Sequence, residues 1–430
     1  MNVQICPHRL SGFVNAPVSK SEAHRMLICA ALCEEPVKLF IGRDLTSGLS
    51  DDITATINCL RSLGAKISFT NDNFLNIVPI NRKRVPEKVE LDCRESGSTL
   101  RFILPVAAAL CENVSVSGRG RLPERPVVEL IEAMKAGGVK FSSERLPFET
   151  SGKLQAGIFK LPGNVSSQYI SGLMLALPIL KDNSVIKLTS DLKSSAYVDI
   201  TISSLKKFGI VIEALNNEYK IIGGLKFLSP GAISAGGDWS GAAFFLVAGA
   251  FSGPVSVTGL STSSAQGDKK ILDILRDFGA EIKIFNNIIT VFPVPEAKTN
   301  RYFEIDIDPT PDLLPALAVA AACCCCDVRF YNAARLRLKE SDRIKTTASI
   351  LRSLGGTVTE KPDELLVGGS YSLTGGKAEG FNDHRIVMSA AVAGIKCKTG
   401  IIITDAESVG KSYPEFFRDY KSLGGQLNVI

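Results

Sequence analysis

Six stretches of the chain are apolar almost all the way round a helix, and each opens on a polar cluster: SKSEAHRMLICAAL, ESGSTLRFILPVAAAL, SSQYISGLMLALP, DWSGAAFFLVAGA, PDLLPALAVAA and DHRIVMSAAVAG. A helix without a polar face predicts burial on every side. A second phrase follows each of them: LRSLGAKI, MKAGGVKF, LKKFGIVI, LRDFGAEI, LRSLGGTV and YKSLGGQL. It reads as the end of a helix, a glycine where the backbone turns left-handed, then a strand. In SDRIKTTASILRSLG, Ile344, Ala348, Leu351 and Leu354 share one face, so this second helix is half exposed.

The two series keep one period. The markers Ser21, Gly97, Ser167, Ser240, Asp312 and His384 lie 76, 70, 73, 72 and 72 residues apart. The glycines Gly64, Gly138, Gly209, Gly279, Gly355 and Gly424 lie 74, 71, 70, 76 and 69 apart. Two markers sharing a period of about 70 residues indicate a real internal repeat. The expected fold is therefore α/β, with two domains of three repeated βαβαββ-like units packed around buried helices. The Pro and Gly residues of LSPGAISAGGD suit a hinge near the middle of the chain. Residues 20–230 are expected to form one domain, and residues 1–19 with 231–430 the other.

Composition narrows the function. The chain has 430 residues, 45% of them hydrophobic, and a formal charge of only +5, with no basic stripe or tail. That argues against a nucleic-acid partner. The start, MNVQICPHRLSGF, is not expected to be a secretory signal, and the longest apolar stretches, Leu313 to Cys326 and Ala242 to Phe251, are too short for a membrane span. Eleven cysteines then point to a reducing cytoplasm. Cys323 to Cys326 are contiguous, whereas metal ligands are spaced, so the run reads as small apolar filler and no metal site is expected.

The polar openings of the buried helices carry the chemistry. Ser19 with Glu22 has the spacing of a capping box. Gly97, with Ser98 and Thr99, leaves backbone N–H donors bare, and Ser166, Ser167, Asp238 and Asp312 are natural caps. Capping accounts for these residues but not for the cations beside them: Lys20, Arg25, Arg101 and Arg385. Further cations sit in turns, Arg121 and Arg125 in GRGRLPERPVVEL and Lys411 in SVGKSYPEFF. RLRLKESDRIK, Arg335 to Lys345, is the densest cluster. Leu336 and Leu338 alternate as in a strand and Ile344 begins helical spacing, so Lys339, Glu340 and Arg343 are expected at a strand-to-helix junction. Helix N-termini carry partial positive charge, and several converging with cations predict an anion-binding cleft between the two domains.

At these residues the chain resembles the EPSP synthase family. The motifs run in order through the whole sequence: SKSEAHR, ESGSTLRF, RLPERP, SSQ, SAYVDIT, DWSGAAFF, PDLLP, LRLKESDRI, NDHR and GKSYPEFF. The resemblance implies the enolpyruvyl transferase fold, with the active site in the interdomain cleft. The implied reaction moves the enolpyruvyl group of phosphoenolpyruvate to the 5-hydroxyl of shikimate 3-phosphate and releases phosphate, a step of aromatic amino-acid biosynthesis. It implies Asp312 as the base, Glu340 as the acid, and Lys20 as a residue that touches both substrates and shares in proton transfer. Ser21, Arg25, Ser166, Ser167, Gln168, Ser194, Tyr197 and Lys339, with Lys20 and Asp312, would hold shikimate 3-phosphate. Gly97, Arg125, Arg343, Arg385 and Lys411, with Lys20 and Gln168, would hold phosphoenolpyruvate. His384 would stabilise the site or be a structural residue. A monomer using no cofactor and no metal is expected.

Three positions depart from the family pattern: Glu95 and Arg335 stand where Asn is common, and Gly241 where Ser is. Three rivals are weaker. The related transferase acting on a UDP-amino sugar carries a reactive Cys in the loop matching Gly118 to Pro126, which here has none. An RNA-terminal phosphate cyclase needs a nucleotidylated His, and only His8, His24 and His384 exist. A non-catalytic anion binder is expected to lack Asp312 or Glu340.

Overall fold

The computed structural model describes residues 1–42, 48–70, 72–295, 301–370 and 372–430. They gather into two compact units, Val18–Ala235 on one side and Met1–Pro17 with Gly236–Ile430 on the other. Each has its own hydrophobic core.

One pattern builds both. In the second repeat, strand Lys88–Asp92 leads into the buried helix Gly97–Leu110, and strand Asn113–Ser117 returns parallel to the first. The outer helix Val128–Ala136 follows, then a hairpin of Lys140–Phe141 and Phe148–Ser151, whose second strand pairs antiparallel with Asn113–Ser117. Lys88–Asp92 alternates exposed and buried, as a half-buried strand does. Among the described residues there are six four-stranded sheets with this spatial order.

The glycine expectation holds at all six positions. Gly64, Gly138, Gly209, Gly279, Gly355 and Gly424 have φ of +101°, +92°, +77°, +98°, +86° and +93°. An L side chain there is strained, so glycine ends each outer helix and releases the chain into the strand that follows, which opens a hairpin in the first five repeats and pairs with Val3–Cys6 in the last.

Three strands cross the sequence order. Ala232–Ser234 pairs with Val37–Phe40 and completes a sheet of the Val18–Ala235 unit. The sequence division after residue 230 falls short of this strand. Val3–Cys6 lies between Ile401–Ile403 and Gln426–Val429, and Gly12–Asn15 pairs parallel with Val255–Thr258, so the first residues belong to the unit containing the last.

The buried helices are packed to backbone distance. Pro105 inside Gly97–Leu110 has no N–H to give the Arg101 carbonyl one turn back. Gly172 of the helix Ser167–Ala176 lies against that carbonyl, where an added Cβ would overlap the oxygen. The two helices can approach this closely only because Gly172 has no side chain.

One predicted element differs. Ala334–Leu338 is a 3-10 helix rather than a strand end. Its period of three puts Ala333 and Leu336 on one buried face and leaves Leu338 exposed, which in sequence mimics alternation. Cys323 closes the helix Leu314–Cys323, and Cys326 opens the next strand. Burial pushes the thiols of Cys323 and Cys324 well up, so they pack as inert apolar groups. Among the described residues no helix is long and apolar enough to cross a membrane, and no group of three or more His, Cys, Asp or Glu side chains could hold a metal ion.

Candidate active site

In the Val18–Ala235 unit the heads of three buried helices are tied together. Ser19 caps the helix Lys20–Ala31, its Oγ accepting from the Glu22 N–H at 3.3 Å. Ser96 caps Gly97–Leu110 through Thr99 N–H at 3.2 Å, and Ser166 caps Ser167–Ala176 through Gln168 N–H at 3.3 Å. Gly97 thus begins a helix that Ser96 caps, so fewer of its N–H groups are bare than the sequence suggested.

Lys20 Nζ meets Asp52 Oδ2 at 2.7 Å. The Asp52 carbonyl lies 3.3 Å from Thr99 Oγ1, which is 2.8 Å from Thr56 Oγ1, itself 2.7 Å from His24 Nδ1. Burial, then Lys20 and Arg25, lowers the His24 pKa, so this imidazole is neutral and structural.

Arg25 is almost wholly buried. Its guanidinium donates to Thr201 Oγ1 at 2.6 Å and to the carbonyls of Ser21 at 2.6 Å and Tyr197 at 2.9 Å, and stacks over Phe102. Burial brings its pKa down to about 10. Arg25 therefore fastens the segment of Ser194 and Tyr197 to the first helix. Ser194 has a left-handed backbone, φ +53°, which turns the chain into the helix Ala196–Lys207.

Gln168 is held at both ends. Arg101 donates to its Oε1 at 3.1 Å, and its Nε2 donates to Ser98 Oγ at 3.0 Å. The guanidinium groups of Arg101 and Arg125 lie close over Gly97: a Cβ there would be 2.8 Å from Arg125 Cζ, so a side chain at this position would push them aside. Lys20, Gly97, Ser98, Arg101, Arg125 and Gln168 are thus drawn into linked groups at the helix heads, where N–H dipoles and cations together favour an anion.

The unit containing the C-terminus is organised differently. Asp312 was expected to cap a helix. It lies instead in the 3-10 turn Pro311–Leu313, makes no cap, and meets cations. Arg343 Nη1 donates to its Oδ1 at 2.7 Å and Arg385 Nη2 to its Oδ2 at 3.0 Å, with Lys339 Nζ at 3.6 Å from Oδ1. Arg343 Nη2 donates to Glu340 Oε2 at 2.8 Å, and its Nε to Asp383 Oδ2 at 2.9 Å. One buried guanidinium thus meets three carboxylates. Burial opposes the charge of Asp312, but Arg385, Lys339 and Arg343 outweigh it and hold its carboxyl well below the usual range.

Asp383 is the floor of this array. It is fully buried, caps the helix His384–Ala393 through Arg385 N–H, and accepts from Ser341 Oγ at 2.9 Å. His384 is buried beside it, and Lys411 Nζ donates to the neighbouring Asn382 carbonyl at 2.8 Å. Asp268, also buried, accepts from Ser240 Oγ. Burial first, then Asp312, pushes its pKa up to about 7.

Asp52, Asp268 and Asp383 escaped the sequence reading. Asp52 and Asp383 had a signal, an acidic residue at a helix start in SDDITATI and NDHR. Nothing in the sequence marks Asp268 as buried. The departures are accommodated locally: Arg335 pairs with the Asp308 carboxylate, Glu95 lies against Gly120, and a side chain at Gly241 would strike Pro17.

The profile of the family EPSP synthase (3-phosphoshikimate 1-carboxyvinyltransferase) matches residues 6–420. The chain belongs to the EPSP synthase family. Among its relatives, the 3-phosphoshikimate 1-carboxyvinyltransferase of Clostridium acetobutylicum is 41% identical over 434 residues, covering 99% of this chain and 98% of that protein. The protein of the same name from Clostridium kluyveri is 40% identical over 428 residues, with the same coverage. Solved structures share the fold, among them the following two. The EPSP synthase of Acinetobacter baumannii has a TM-score of 0.81 at 24% identity over 100% of both chains. The enolpyruvyl transferase NikO of Streptomyces tendae has a TM-score of 0.78 at 16% identity, over 99% of this chain and 98% of that one. EPSP synthases are transferases, and the enolpyruvyl transferase fold that the resemblance implies is the fold these chains share.

Proposed function

We propose that the protein transfers the enolpyruvyl group of phosphoenolpyruvate to the 5-hydroxyl of shikimate 3-phosphate, releasing phosphate, in the shikimate pathway of aromatic amino-acid biosynthesis. The observation that carries the site assignment is the array in which Arg343 links Asp312, Glu340 and Asp383. Asp312 is ionised and takes the proton of the 5-hydroxyl. That oxygen then bonds to the central carbon of phosphoenolpyruvate. Glu340 gives a proton to the methylene carbon, which becomes a methyl group; loss of phosphate from the central carbon together with one proton of that methyl group, taken back by Glu340, restores the double bond. Lys20 assists proton transfer and neutralises substrate charge.

Shikimate 3-phosphate is held by Ser21, Arg25, Ser166, Ser167, Gln168, Ser194, Tyr197 and Lys339. Arg25 acts from beneath, through the Ser21 and Tyr197 carbonyls it fixes. Phosphoenolpyruvate is held by Gly97, Arg125, Arg343, Arg385 and Lys411. Guanidinium groups suit this task because their donors match carboxylate and phosphate oxygens in pairs. The protein works as a monomer in the cytoplasm, where its eleven cysteines stay reduced. Phosphate release on mixing with both substrates tests the activity. A protein that binds both substrates yet releases no phosphate, under conditions where an authentic family member does, contradicts it.

A further inference from the structure

Arg343 and Arg385 are the groups assigned above to phosphoenolpyruvate, yet their donors already face carboxylates. Asp312 offers one oxygen to each of the two arginines, at 2.7 Å and 3.0 Å. The two guanidinium groups are therefore spaced for the two oxygens of a single carboxylate. Glu340 takes the remaining terminal nitrogen of Arg343. The three carboxylates around Arg343 are not equivalent. The Asp383 side chain is 0% exposed, whereas those of Asp312 and Glu340 are 17% and 21% exposed. Asp383, fixed also by Ser341 Oγ and Arg385 N–H, is an anchor. The other two lie on the side open to an incoming anion.

We infer that Asp312 and Glu340 are internal stand-ins for the anionic oxygens of phosphoenolpyruvate, and that the substrate binds by displacing them from Arg343 and Arg385. This rests on the assignment of those two arginines to phosphoenolpyruvate. Displacement has a chemical consequence. While Arg385, Lys339 and Arg343 face it, the Asp312 carboxylate is a weak base, with Glu340 and Asp268 the acidic groups nearby. An anion that takes over the two arginines cancels their charge and lets go of the carboxylate, so Asp312 gains basicity only when the acceptor of the new bond is in place. The two carboxylates also keep the like-charged guanidinium groups of Arg343 and Arg385 together. That role alone would make Asp312 a strut, and the two roles predict opposite signs.

The test is the affinity of the full-length protein for phosphoenolpyruvate alone, by calorimetry, in the parent, Asp312→Asn, Asp312→Ala, Glu340→Gln and Arg385→Ala. A stand-in that occupies the arginines nine-tenths of the time weakens the apparent affinity about tenfold. Both Asp312 variants should therefore bind phosphoenolpyruvate about tenfold more tightly, and Glu340→Gln more tightly by a smaller factor, while turnover is lost. Arg385→Ala should bind it at least about tenfold more weakly. If Arg385→Ala weakens binding and the Asp312 variants bind no better than the parent, Asp312 is a strut and the inference is wrong. If Arg385→Ala leaves affinity unchanged, the assignment of Arg385 falls, and the inference falls with it. Should Asp312→Ala fail to fold, Asp312→Asn and Glu340→Gln decide by the same criterion.

Discussion

The same frame carries two kinds of helix head. In the Val18–Ala235 unit all three buried helices are capped by serine: Ser19, Ser96 and Ser166. In the other unit two are capped by aspartate, Asp238 and Asp383, and the third head holds Asp312 in its opening turn. A hydroxyl satisfies an N–H without cancelling the positive end of the helix, so the first set stays attractive to an anion. A carboxylate cap cancels that charge. There, positive charge comes instead from Arg343, Arg385 and Lys339, set among carboxylates. The charge at the head of a buried helix can thus be changed by its cap, without changing the fold.

The comparison can be broken most forcefully at the carboxylates. Glu340→Gln keeps size and polarity but cannot give a proton, so turnover should fall by about 10²–10⁴, with shikimate 3-phosphate affinity little changed. Measuring both in one variant checks it, and normal turnover would reduce Glu340 to a partner of Arg343. The caps should differ next. Asp383→Ala leaves the buried Arg343 without its anchor and should cost about 3–5 kcal/mol of stability. Ser96→Ala should cost only about 1 kcal/mol. Urea denaturation of the two variants compares them, and equal losses would erase the distinction between the two units.

Gly172→Ala probes packing in the serine-capped unit. A Cβ on the Arg101 carbonyl should cost about 1–3 kcal/mol and disturb Gln168, which Arg101 orients. A melting temperature equal to that of the parent would show that the two helices can separate. The smallest effect is a pH dependence. Asp268 has a raised pKa, so the folded protein keeps a proton that the unfolded chain gives up. Its contribution to stability falls as pH rises from about 4 to about 7 and stays lost above that. Asp312 has a depressed pKa, so its contribution is present above the unfolded value and is lost as pH falls through the folded one. Asp268→Asn should therefore gain most in melting temperature, relative to the parent, above about pH 7. A gain that does not change with pH would mean that Asp268 does not titrate in this window.

Local rules were enough for much of this. The repeat, the six left-handed glycines, the Ser19, Ser166 and Asp238 caps, and the all-round burial of helices such as Trp239–Phe251 could be read from residue spacing. The glycines, the caps and the burial of the helices depend on residues within one or two turns of the chain, and the repeat on their recurrence along it. Tertiary structure decided what joins distant residues. Asp312 left its expected capping role because Arg343 and Arg385, 31 and 73 residues further on, offer it charge-assisted bonds that one backbone N–H cannot match. Asp383 became the floor of the array only because Arg343 folds back over it from 40 residues away. Leu336 and Leu338 alternate in sequence, but a 3-10 turn buries Leu336 beside Ala333. Val3–Cys6 joins strands more than 390 residues later, since a sheet is completed by whichever edge is near in space. Periodicity and backbone handedness are properties of neighbours along the chain and can be read there. Charge pairing and burial are properties of neighbours in space, and for these the fold had to be known.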